Sequence, residues 1–173
     1  MAVTLSKQEE RTLVKLLSQV APGFLPYDLF IQIARLVSLS IIEVVPLRMH
    51  NGKVQVLLVP RDADDTIWPG KVHTPGTVLR PTDSTDLSTV FARIVEDELR
   101  NTAVGTPVFV QNEVRKTKRG MEQAQIYWVE VQSEPLVGEF YDHDALPENY
   151  IKQQHDFITA CVASFQKEKP SEP

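Results

Sequence analysis

Asp83, Arg93, Glu96, Asp97 and Glu98 lie close together in the stretch WPGKVHTPGTVLRPTDSTDLSTVFARIVEDELRN, and what they can do depends on which side of a helix each one takes. At 100° per residue Leu87, Val90, Phe91, Ile94 and Val95 form one apolar stripe, with Glu98 in its middle. A carboxylate on a buried face needs a charged partner, a metal ion or a shifted pKa. Glu98 is therefore either a structural ion-pair member or a site residue. Asp97 lies at the stripe's edge, one turn from Arg93, where an i,i+4 pair would hold it, and Glu96 points to solvent.

A second concentration of charge is Arg115-Lys116-Thr117-Lys118-Arg119-Gly120-Met121-Glu122, with four cations in five residues. It reads either as a solvated hairpin tip or as a loop that draws an anion, with Lys118 and Arg119 as its ligand-facing candidates. Glu122 is a candidate base in the same loop. The run Asp62-Ala63-Asp64-Asp65 lacks the spacing and closing glutamate of a calcium loop and reads as polar surface. The single cysteine, Cys161, shares a helical pattern with Ile158, Val162 and Phe165 and reads as a packed core thiol. The four histidines show no ligand spacing.

The first of these stretches resembles a divergent Nudix box. That pattern is a glycine, five residues, a glutamate, seven residues, then Arg-Glu-apolar-x-Glu-Glu-x-Gly-apolar, usually after Pro-Gly. Here Pro75-Gly76 precedes Thr77 at the box glycine, Asp83 stands at the first glutamate, and Arg93-Ile94-Val95-Glu96-Asp97-Glu98-Leu99-Arg100-Asn101 closes the box. Nine residues rather than seven separate Asp83 from Arg93, Ile94 replaces a glutamate, and Arg100 replaces the closing glycine. The resemblance implies an α/β/α sandwich with a mixed sheet, covering residues 40–165. It also implies hydrolysis of a nucleoside diphosphate linked to another group, with Mg2+ or Mn2+ held at Asp97 and Glu98. Glu98 and Glu122 then become the catalytic candidates, and Arg93, Lys118 and Arg119 the substrate-binding ones. Ile94 can neither bind metal nor accept a proton, so the alternative is a Nudix-like nucleotide-binding, regulatory or interaction domain without turnover.

The elements that must position these residues follow from periodicity. Ser6 and Glu9 form a capping box before Leu13, Leu16, Leu17 and Val20. A second helix starts near Pro26 and buries Leu29, Phe30, Ile33, Leu36 and Val37. Apolar runs at 40–48 and 54–60 flank Asn51-Gly52 and predict an antiparallel hairpin. Further strands are expected at about 72–79, 106–114 and 124–132, the box helix from about Asp86 to Arg100, and a last helix over about 148–166 carrying Ile151, His155, Ile158, Val162 and Phe165. The organisation expected is an N-terminal helical extension (1–38), a Nudix-like domain (39–166) and a disordered tail (167–173).

With 173 residues and 42% hydrophobic content the chain can bury one ordinary core. A net charge of -5 argues against a nucleic-acid duplex as partner. Gln32, Arg35, Glu43 and Pro46 interrupt the one long apolar run, which argues against a membrane span. The first residues lack the apolar core of a signal peptide, so the expected location is cytoplasmic. The expected partner is a nucleoside diphosphate derivative or related small molecule, and the N-terminal helices are expected to cover an apolar surface either of the Nudix-like body or of a second copy in a homodimer.

Overall fold

The computed structural model describes residues 4–169. Its longest strands are the branched apolar runs, β1 (Leu39–His50) and β2 (Lys53–Pro60). They pair antiparallel across Asn51 and Gly52, whose φ angles of 49° and 76° are what a type I′ turn requires. The strand expected over 72–79 is broken in two around Thr74-Pro75: β3 (Val72–His73) pairs with β2, and β4 (Gly76–Val78) with the first half of β1. Pro75 has no N–H for a ladder, which favours the break. β5 (Val108–Thr117) and β6 (Gly120–Glu130) form a second hairpin, and β6 runs parallel to β1 from Leu39 opposite Glu122 to Leu47 opposite Glu130. The mixed sheet has the order β3-β2-β1-β6-β5, and β7 (Glu139–Asp142) pairs with β2.

Strand alternation assigns two faces. Val45, Leu47, Val56, Leu58, Ile126 and Trp128 pack beneath α4 (His155–Glu168), which supplies Phe157, Ile158, Cys161, Val162 and Phe165. On the other face Ile42, Val44 and Val129 meet Val90 and Ile94 of the helical segment that begins with α3 (Ser88–Arg93). The result is the expected sandwich. Burial pushes the Cys161 thiol up to about 12, consistent with an inert core thiol.

The last helix starts later than expected, at His155 after a 3-10 turn (Lys152–Gln154), and runs on to Glu168. His155 is exposed, and Phe157 takes the buried seat. Residues 170–173 of the expected tail lie outside the described residues. At the other end, α1 (Lys7–Leu17) forms with its Ser6/Glu9 capping box, and α2 (Tyr27–Ala34) packs Phe30 and Ala34 on the main core. Leu36 and Val37 do not extend that buried face; they follow the helix end and are 70% and 52% exposed. Among the described residues no helix is long and apolar enough to cross a membrane.

Candidate functional site

The box helix is shorter than its periodicity suggests. Asp86 accepts a hydrogen bond from the Ser88 N–H (3.0 Å), Leu87 takes a left-handed conformation (φ 63°), and the helix begins at Ser88. After Arg93 it widens into a π-helical turn, Ile94–Glu98, in which the Leu99 N–H donates to the Ile94 carbonyl at 3.1 Å, five residues back. The extra residue in the turn hands the buried seat to Leu99. Leu99 is fully buried, whereas the Glu98 side chain is 34% exposed, so Glu98 stands at the rim of the apolar stripe and not in its middle.

Burial pushes the Glu98 carboxyl above its usual range, and the charges of Arg61 and Arg100 oppose that rise. His73 Nε2 lies 3.9 Å from Glu98 Oε2. Burial, reinforced by Arg61, pushes the imidazole down to about 3, so the two groups do not form an ion pair at neutral pH. Asp97 is exposed and is not held by Arg93. Arg93 instead engages both carboxylate oxygens of Asp83 and donates to the Val78 carbonyl at 3.1 Å. Asp83 is delivered by its own turn, where it accepts the Arg80 N–H at 2.6 Å, and the Arg93 guanidinium holds its carboxyl below the usual range. An occupied bidentate fork outcompetes an exposed i,i+4 partner. Arg93 is thus committed to structure.

Glu122 lies on the other side of the sheet from the box helix. Alternation sets it with Ala124, Ile126 and Trp128 on the α4 face, where it is fully buried. Its carboxylate accepts from Arg115 Nε (3.0 Å), Thr117 Oγ1 (3.0 Å) and Arg119 Nε (2.9 Å). A carboxylate so engaged is poorly placed to take a proton from water, and the arrangement is that of a buried ion-pair member. Arg115 also binds Glu43, whose carboxyl is raised by burial against the pull of Arg115. Gly76 is required here, because a Cβ at that position would collide with the Glu43 carboxylate. Arg119 turns inward from the hairpin tip, and with Arg61 it flanks the Trp68 ring at 5.6 and 5.4 Å. Lys118 donates to the Ile67 carbonyl at 3.3 Å.

Glu43, Arg61, Trp68, Arg115 and Arg119 help to wall a cavity of about 40 Å³. That is space for a few waters. Its three guanidinium groups are matched by Asp65, Glu43 and Glu122. Glu43 and Arg115 were not singled out from the sequence, although a signal existed: Ser40-Ile-Ile-Glu-Val-Val puts one charge in a strand otherwise apolar on both faces. The sequence-derived candidates therefore fall in three places: Glu98 and Asp97 at the π turn, Arg93 locked to Asp83, and Arg119 and Glu122 in the ion-pair knot, with Lys118 at its border.

The donor set offers a divalent cation two carboxylates at most, Asp97 and Glu98. Mg2+ and Mn2+ take hard oxygen ligands, and no group of three His, Cys, Asp or Glu side chains able to hold an ion occurs among the described residues. Where a further carboxylate would complete the set, Ile94 is 1% exposed among Ile42, Val44, Val90 and Val129.

No protein-family model matches the chain, and no curated protein matches its sequence. Solved structures do. A mutT/nudix family protein from Listeria innocua is 13% identical, with 75% of this chain and 94% of that one covered at a TM-score of 0.53. The C. elegans Ap4A hydrolase is 9% identical over 75% of this chain and 99% of its own, at 0.56. The C-terminal domain of mouse MUTYH, solved in complex with human PCNA, is 12% identical over 79% and 92%, at 0.52. The chain has a Nudix-like fold.

Proposed function

We propose that this domain is a non-hydrolytic Nudix-like module that works by interaction. The observation that carries the reading is Ile94: one turn before Glu98 it fills a closed apolar cluster with Ile42, Val44, Val90 and Val129. The helix face that would gather carboxylates around a cation is committed to packing. The charges that wall the water-sized cavity beside Trp68 are already matched within the chain, which agrees with that reading. The MUTYH domain to which this chain is similar was solved in a complex with another protein, PCNA.

One observation favours hydrolysis as the second reading: Glu98 remains partly exposed at a π turn with a raised carboxyl pKa. The two readings separate in a screen of diphosphate-linked nucleotides with Mg2+ or Mn2+. The interaction reading expects no metal-dependent turnover and equal heats of Mg2+ titration for the unmodified protein and Glu98→Gln. Turnover that requires metal and disappears in Glu98→Gln would replace it with the hydrolase.

A further inference from the structure

The strap formed by residues 62–70 joins β2 to β3 and carries Trp68, part of the wall of the cavity described above. Its shape comes from within. Asp65 accepts the N–H groups of Ile67 (2.8 Å) and Trp68 (2.7 Å) on Oδ1 and the Arg61 guanidinium (3.0 Å) on Oδ2, so the strap is tied to itself by an Asx-type turn. The Arg61 N–H donates to the Lys71 carbonyl at 2.8 Å and closes the neck, beside which Gly70 takes the left-handed conformation (φ 64°). A segment organised in this way can turn as one piece about its neck.

What holds it down is different in kind. The Tyr27 and Thr66 hydroxyls share an exposed hydrogen bond, Lys118 donates to the Ile67 carbonyl at 3.3 Å, and Arg119 reaches the Trp68 ring. Between α2, the strap and the β5–β6 tip runs a groove of about 410 Å³, lined in part by Tyr27, Ile31, Ile67 and Lys118. Groove and cavity share one wall: Ile67 and Lys118 face the groove, and their neighbours Trp68 and Arg119 face the cavity. No residue of the strap belongs to a core cluster. Parting that wall therefore breaks contacts next to water and opens none of the core, which costs far less than global unfolding.

We propose that the strap is a lid over the arginine-walled cavity and that α2 of the N-terminal extension is its keeper. α2 is anchored at its far end, where Phe30 and Ala34 join the core and Gly120 presses so closely on the Ala34 carbonyl that a Cβ would lie 2.5 Å from the oxygen. Its first residue, Tyr27, takes the latch. Closed, the lid leaves Arg61, Arg115 and Arg119 room for a few waters. Lifted, it joins cavity and groove into one cleft in the roughly 300–1,000 Å³ range of small-molecule sites. Access to the cavity is thereby governed from a segment outside the stretch that resembles the Nudix domain.

The lid goes beyond the interaction reading, and its test reads the position of the strap, not turnover. Ile41 lines the cavity at 2% exposure, and Cys161, the one natural thiol, is buried between α4 and the sheet. In full-length Ile41→Cys, alkylation of residue 41 by N-ethylmaleimide reports lid opening, and alkylation of Cys161 reports global unfolding. Residue 41 should be protected relative to an exposed thiol. Tyr27→Phe, which removes one hydroxyl, should speed its alkylation about 5-fold, the worth of one net hydrogen bond. Lys118→Met should act in the same direction, and Thr66→Val should add nothing once Tyr27→Phe is in place. Cys161 should keep one slow rate throughout. Without the reporter cysteine, Tyr27→Phe should raise acrylamide quenching of Trp68, to which Trp128, at 3% exposure, contributes little. The lid is overturned if residue 41 reacts like an exposed thiol before any latch is cut, or if Cys161 accelerates in step with it, which would mean general loosening. It is equally overturned if Tyr27→Phe leaves the alkylation of residue 41 unchanged or, should Ile41→Cys fail to fold, leaves Trp68 quenching unchanged.

Discussion

At Ile94 packing occupies the position where the resembled box carries a glutamate. The isoleucine is closed in by Ile42, Val44, Val90 and Val129, and Glu98 follows one turn later at the rim. Ile94→Glu would place a second carboxylate beside one whose charge is already disfavoured by burial. The expected cost is about 3 kcal/mol or more, since a buried charge without a partner is among the few changes that destabilise so strongly. Because the new carboxylate would sit inside a closed apolar cluster, Mg2+ should not restore the melting temperature. Thermal melts of Ile94→Glu with and without Mg2+ measure this. A large rescue by the metal would show that the cleft still assembles a cation site and would favour the hydrolase.

On the scale of elements, helical periodicity located the box helix and its inward face, because Val90, Phe91 and Ile94 recur as an amphipathic pattern must. The π turn was not legible. A constant 100° per residue carries Glu98 into the core, and only the pocket formed by Leu57, Val59 and Val131 explains why Leu99 goes there. For the same reason Arg93 was paired with its helical neighbour Asp97, and not with Asp83, which a turn brings back. The Asn51-Gly52 hairpin was legible because its turn chemistry is local. The sequence departs from its resemblance at Arg100, yet the backbone keeps a left-handed conformation there (φ 51°), followed by Asn101 at 64°. The Asn101 N–H closes the helix onto the Val95 carbonyl at 2.8 Å. An arginine in that conformation is strained by about 1–2 kcal/mol, less the backbone freedom that a glycine adds to the unfolded chain. Arg100→Gly should therefore stabilise by about 1 kcal/mol in urea unfolding. Arg100→Ala keeps the strain and should give no such gain, which separates backbone relief from loss of charge near Glu98.

Across the whole molecule, a buried cluster of charges ties three strands of the sheet together. Arg115 reaches from β5 to Glu122 on β6 and Glu43 on β1, while its guanidinium sits 5.6 Å from the Phe157 ring of α4. Both carboxylates are buried, and burial already raises the Glu43 pKa. Arg115→Met keeps most of the side-chain volume but leaves Glu43 without its partner, while Glu122 retains Arg119 and Thr117. The cost expected at neutral pH is about 3–5 kcal/mol, the usual result of breaking a buried pair from one side. Its pH dependence follows from linkage. Without Arg115 the folded-state pKa of Glu43 rises further above its unfolded value of about 4.3. Such a group is tolerated below the unfolded pKa, where it is protonated in both states, and destabilises increasingly as pH rises toward the folded value. The stability gap between Arg115→Met and the unmodified protein should thus be smallest near pH 4 and widen toward neutrality, and adding Glu43→Gln should close part of it. Urea unfolding across that range measures the gap. A gap that is flat with pH, or widest in acid, would mean that Arg115 acts through its guanidinium on the Phe157 ring and not through its pairing with Glu43.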